Sequence, residues 1–284
     1  MPERRSPTAR RRELSNALRR LREEGGFTVD DAAEALDCST DKILWMERAE
    51  WVKPKLRDVR DLLDRYGVTD AKHREKLFAM AREGSQRDWW QPYRKMLSDR
   101  YTTYIGLESE ADDVLTFELA VFPGLMQTAD YARGLIQSGP AEISDEEVEQ
   151  RVKVRTERQR ILFGDAPARL WAIIDEAALH RPVGGPEVMR AQIQRLIELA
   201  ELPKITFQVI PFSAGPHPST AGSFTILSFP RDPDAAYVET VAGELLVEEA
   251  ADVRRYEAVF RQLIAKALSP EDTIAMLSKE AARN

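Results

Sequence analysis

Residues 28–48 read TVDDAAEALDCSTDKILWMER, and this stretch decides the fold of the N-terminal region. After Thr28, a residue suited to capping a helix, Ala32, Ala33 and Leu36 recur at helical spacing. Ser39 then caps a second helix, whose apolar pair is Ile43 and Met46. Only Asp37 and Cys38 lie between the two. The reading therefore predicts short helices from Val29 to Leu36 and from Ser39 to Glu50, with the small Ala33 permitting a close, steep crossing.

Outward from this pair, Leu14, Leu18 and Leu21 mark a preceding helix that Gly25-Gly26 ends. Beyond Pro54, Leu56, Val59, Leu63 and Tyr66 form the buried stripe of a fourth helix, stopped by Gly67. Thr69 opens a charged fifth helix reaching about Glu83. The expected organisation is a basic arm over residues 1–9, a five-helix domain over 10–83, and a second domain over 84–284.

Charge follows the same division. Residues 1–82 hold 19 Lys and Arg against 16 Asp and Glu, a net of +3, so the −7 of the whole chain leaves −10 for the remainder. A basic front end on an acidic body fits a nucleic-acid-binding module joined to something else. In the second helix of a steeply crossed pair, the first residues can meet base edges in a major groove. Thr40, Asp41 and Lys42 stand there, with Trp45 one turn on. Thr28 and Ser39 offer hydroxyls at helix starts, and Arg10, Arg11 and Arg12 offer cations for phosphate. The face carries no arginine, glutamine or asparagine for bidentate base contacts, and Asp41, Leu44 and Trp45 equally suit a protein-interaction factor whose helix pair no longer reads DNA.

Leu14, Leu18 and Leu21, with Thr28, Ala33, Ile43, Met46 and the Glu47-Arg48 ending, resemble the lambda-repressor-like domain of Xre-type helix-turn-helix regulators. The resemblance implies that the helix beginning at Ser39 is the recognition helix. It also sets glycine at the positions of Asp37 and Ala49. It further implies double-stranded DNA as a partner and a homodimer, since one recognition helix spans too few base pairs for genomic specificity.

From Gly84 the pattern mixes strands and helices, giving an α+β fold overall: a five-helix domain followed by a mixed α+β one. Strands are expected at Val114–Glu118, Arg169–Ile174, Ile205–Ile210, Ser223–Phe229, Ala235–Val241 and Glu244–Val247. Helices are expected at Asp145–Phe163, Glu187–Leu202, Asp252–Leu268 and Pro270–Ala282, among others. Trp89, Trp90 and Tyr93 form an aromatic cluster, and Arg151, Arg155 and Arg158 share a helical face at i, i+4, i+7. These six are the candidate partner- or ligand-binding residues. Residues 121–132 and 210–215, with the arginine stripe, resemble the long C-terminal domain of actinomycete regulators of the WhiJ-type, antitoxin-like group. That resemblance implies a small partner protein encoded nearby.

Other classes find little support. A single cysteine, Cys38, gives no disulfide or metal framework, and no cofactor is expected. No apolar run is long enough to span a membrane, and the arginine-rich start has no apolar stretch behind it, so a cytoplasmic protein is expected. Ser213, His180 and Asp175 supply the residue types of a triad, but no nucleophile elbow frames them, and catalysis is not expected.

Overall fold

Five helices build the N-terminal unit around one core: α1 Pro7–Glu24, α2 Val29–Ala35, α3 Thr40–Glu47, α4 Leu56–Arg65 and α5 Ala71–Gly84. The computed structural model describes residues 7–49, 51, 54–85, 89–139, 143–164, 166–230 and 232–283. The chain divides into two compact units, Met1–Pro92 and Tyr93–Asn284, so the division falls beyond Gly84, where the sequence placed it. Residues 7–9 belong to α1 rather than to an arm; the rest of the expected arm, residues 1–6, lies outside the described residues.

Leu14 and Leu18 of α1 meet Ala32 and Ala33 of α2, Ile43 and Met46 of α3, and Val59, Leu62 and Leu63 of α4. The expected stripe on α4 needs one correction. Leu56, at the first helical position, is 39% exposed, and Leu62 takes a buried place instead. Trp51 is also fully buried, its indole N–H donating to Ser15 Oγ, which in turn donates to the Met46 carbonyl. That chain of bonds pins the end of α3 to α1.

The two non-glycine residues with positive φ among those described are Asp37 at 47° and Ala49 at 58°. These flank α3. Ala49 explains why the helix stops at Glu47 instead of running to Glu50: the backbone turns left-handed, a conformation costing an L-residue with a Cβ about 1–2 kcal/mol. Ala49→Gly is expected to stabilise the unit by about 0.5–1 kcal/mol net of the entropy glycine adds to the unfolded chain. A urea midpoint unchanged or lowered in that variant would refute the strain.

The C-terminal unit is a six-stranded mixed sheet in the order β3-β2-β1-β4-β5-β6, comprising β1 Asp113–Glu118, β2 Arg169–Asp175, β3 Ile205–Ile210, β4 Phe224–Ser228, β5 Ala235–Thr240 and β6 Gly243–Val247. β1, β2 and β3 run parallel, whereas β4, β5 and β6 pair antiparallel. The helices are α6 Asp99–Glu108, α7 Ala129–Gln137, α8 Asp145–Arg158, α9 Pro186–Ala200, α10 Ala250–Ile264 and α11 Pro270–Arg283. Both sheet faces are covered, which is why the central strands are apolar on both sides. Leu170, Ala172 and Ile174 of β2 pack with Ile193 and Leu196 of α9 and Leu277 of α11. On the opposite face, Phe117, Ile173 and Ile226 pack with Phe260 and Leu263 of α10. The helix expected to reach Phe163 ends at Arg158 and passes into a 3₁₀ turn over Gln159–Leu162.

Candidate nucleic-acid interface

The turn between α2 and α3 is built locally. Thr28 Oγ1 accepts from the Asp31 N–H and donates to the Asp31 carboxylate, which also accepts from the Thr28 N–H. This reciprocal box fixes the start of α2 and holds the Asp31 carboxyl below its usual range. The Thr28 hydroxyl is thereby committed within its own helix. Ser39, at the start of α3, makes no side-chain capping bond and is exposed. Asp41 and Arg48 are exposed as well, while Thr40, Lys42, Leu44 and Trp45 are half-buried.

Lys42 bonds Asp58 at 2.6 Å, which sets the first turn of α3 beside the first turn of α4. Lys55, Arg57 and Arg60 of that neighbouring segment are exposed. Arg57 lies 3.5 Å from Asp61, but 84% of its side chain is open to solvent. Among the described residues, the exposed cations around that bridge are Arg48 at the end of α3 and Lys55, Arg57 and Arg60 in the segment that carries Asp58. Sequence reasoning missed them; the signal was the Lys55-Leu56-Arg57 run directly after Pro54. Trp45 packs partly onto the domain core, which reduces what it offers a groove.

The arginines of α1 correct the sequence reading. Arg11 and Arg12 are buried, so neither is a surface contact for phosphate. Arg11 donates to the Gly84 carbonyl at 3.0 Å and to Thr8 Oγ1 at 2.6 Å. Arg10 pairs with Glu13 at 2.9 Å and Glu83 at 2.6 Å. The reason is packing: α1 lies along α5, where Arg11 reaches the Gly84 carbonyl and Arg10 reaches Glu83, so these long side chains line the seam between the two helices. Arg22 forms a two-pronged bond to Glu47 of α3, at 2.7 and 2.9 Å, and also donates to the Phe27 carbonyl. That bonding raises the Arg22 pKa further above its ordinary value. Glu47-Arg48, which the sequence marks as a helix ending, thus splits: Glu47 clamps α3 to α1, and Arg48 faces water.

The candidate partner residues separate too. Trp90 is buried with its ring edge-on to the exposed Trp89, and Tyr93 belongs to the other compact unit. Arg158 is buried and grips Glu108 through two bonds of 2.7 Å. Arg151 bonds Glu147 at 2.7 Å, and Arg155 bonds Gln127 Oε1 at 3.1 Å. The residue types of the imagined triad are not assembled as such. His180 sits by Glu176 at 3.2 Å, whereas Asp175 bonds His217 at 3.3 Å. Among the described residues, no group of side chains could hold a metal ion, and no helix is long and apolar enough to cross a membrane.

Two short helices in a tight turn, with the second braced by a preceding helix and exposed at its start, define a helix-turn-helix protein, and residues 13–76 match a helix-turn-helix domain. Residues 101–279, more than half of the chain, match a domain of unknown function, DUF5753, and the chain belongs to that family. No curated protein and no solved structure matches it.

Proposed function

We propose that this chain is a DNA-binding transcription regulator of the Xre type, acting in the cytoplasm as a homodimer without catalysis of its own. In this reading α3 enters the major groove, with Ser39 and Thr40 at its leading end and Asp41 accepting from a cytosine amine. Arg48, Lys55 and Arg57 then meet the flanking phosphates. The supporting observation is the open start of α3, set by the Lys42–Asp58 bridge beside the exposed cations of α4. The C-terminal unit would receive a small partner protein or ligand, as in the antitoxin-like WhiJ-type group of actinomycetes, and bias the DNA affinity by its differential binding.

The test is capture of genomic fragments by the full-length protein, followed by titration of an enriched site at several salt concentrations. Arg48→Ala with Arg57→Ala is expected to weaken binding about 10–100-fold and to reduce the magnitude of the log–log salt slope by about two. No enriched fragment would defeat the reading. A second reading, a protein-interaction factor with a degenerate helix pair, is favoured by Lys42 being engaged with Asp58 and by the acid Asp41 at the leading face. Under that reading the double variant keeps its function and Trp45→Ala loses it.

A further inference from the structure

A cavity of about 490 Å³ lies on one face of the sheet in the C-terminal unit, within the ~300–1,000 Å³ of small-molecule sites. Its floor is the cross-strand row Thr116, Thr225 and Tyr237 of β1, β4 and β5. Tyr101, Tyr104 and Glu108 of α6 line it, as do the three arginines of α8 and the segment from Val121 to Gln127 after β1. The arginine stripe that the sequence singled out therefore points at a cavity.

The polar inventory of this cavity is uneven. Glu108 is closed off: it takes both prongs of Arg158 and the Tyr104 hydroxyl at 2.7 Å. Arg158 also donates to the Tyr101 hydroxyl at 2.6 Å, and Arg151 is held by Glu147. Two groups keep unspent donors. The Tyr237 hydroxyl is buried, in a residue only 6% exposed, and has no hydrogen-bond partner among the described residues. Arg155 has Gln127 as its hydrogen-bond partner and no carboxylate within ion-pair distance among the described residues, leaving most of its five donors open. A buried, unpaired hydroxyl costs about 1–3 kcal/mol and is recovered by an acceptor that enters beside it. The remaining carboxylates do not call for a cation. Glu239 is exposed at the rim, and Glu118 has its pKa raised to about 7 by burial, against the opposing pull of Ser223, Arg155 and Arg158.

We propose that this cavity is the effector site and takes a small organic monoanion, a carboxylate on an apolar body. The carboxylate accepts from Arg155 and the Tyr237 hydroxyl. The body lies against Phe122, Leu125 and Leu135 and the stacked rings of Tyr104 and Tyr237, whose centroids are 3.9 Å apart. A single unspent guanidinium suits one negative charge better than the two of a phosphate. The effector role rests on the regulator reading above; the binding itself does not.

The experiment titrates the full chain, without DNA, with the fluorescent aromatic sulfonate 8-anilinonaphthalene-1-sulfonate. Saturable binding of about one probe per chain is expected, displaced by 4-phenylbutyrate and not by benzylammonium. Tyr237→Phe, which removes one oxygen, and Arg155→Met are each expected to weaken probe binding ~tenfold with melting curves intact. Unsaturable binding, displacement by the amine, or affinities of both variants within about twofold of the parent overturn the assignment. Should Arg155→Met fail to fold, the conservative Tyr237→Phe decides alone. Probe binding without any enriched DNA fragment removes the regulator reading and leaves the anion site; DNA capture with no probe binding does the reverse.

Discussion

Glu47→Ala is expected to cost the N-terminal unit about 3–5 kcal/mol, enough to unfold a domain of ordinary stability. Glu47 is 8% exposed and Arg22 is 9% exposed, so removing the acid leaves a buried guanidinium with the Phe27 carbonyl and, at 3.5 Å, the more exposed Glu23 carboxylate. The cost is a buried charge left with only a longer contact to a solvated acid, rather than the worth of the pair. Replacing both partners, as Arg22→Met with Glu47→Leu, is expected to recover most of the loss. Urea unfolding followed by far-ultraviolet circular dichroism measures this, with the C-terminal transition serving as an internal control. A loss below about 1 kcal/mol would mean that water reaches the pair as it reaches a surface bridge. DNA binding is expected to fail together with folding, since the same bond braces α3 against α1.

Arg158→Met is expected to do comparable damage to the C-terminal unit, again about 3–5 kcal/mol. Glu108 is 1% exposed and would keep only the Tyr104 hydroxyl from its present bonding. The guanidinium also lies 5.1 Å from the centre of the Tyr104 ring and 5.5 Å from that of Tyr101, contacts the thioether does not replace in kind. Adding Glu108→Gln removes the stranded charge and is expected to restore about half of the loss. Calorimetry of the full chain reads the result: the transition of the C-terminal unit moves down while that of the N-terminal unit stays. If both transitions move together, the ion pair does not act within its own unit as argued.

Most elements were legible because periodicity is local. The stripe of Leu14 and Leu18, the Gly67 stop and the alternation around Val114 each declare themselves within a few residues. Direction of side chains was less legible. Arg11 and Arg12 read as free cations because composition reports charge and not the seam that α1 shares with α5. The end of α3 falls earlier than propensity predicts, because alanine favours a helix while the backbone at Ala49 is left-handed. In the candidate interface, the exposed start of α3 followed from turn length, whereas the cations of α4 became visible only through the Lys42–Asp58 bridge. The stripe of Arg151, Arg155 and Arg158 was readable as a face, but its three different roles were not. Glu108 is fifty residues from Arg158, and local spacing does not choose among distant acids.

The cavity is built from stretches far apart along the chain, with β1, β4 and β5 as its floor and α6, α8 and the segment after β1 around it. A molecule lodged there would act as a removable staple across the sheet. Occupancy would then slow the opening of the whole unit by mass action and lengthen its survival against proteases. Abundance of the protein, as well as its affinity for other molecules, would rise and fall with supply of that molecule.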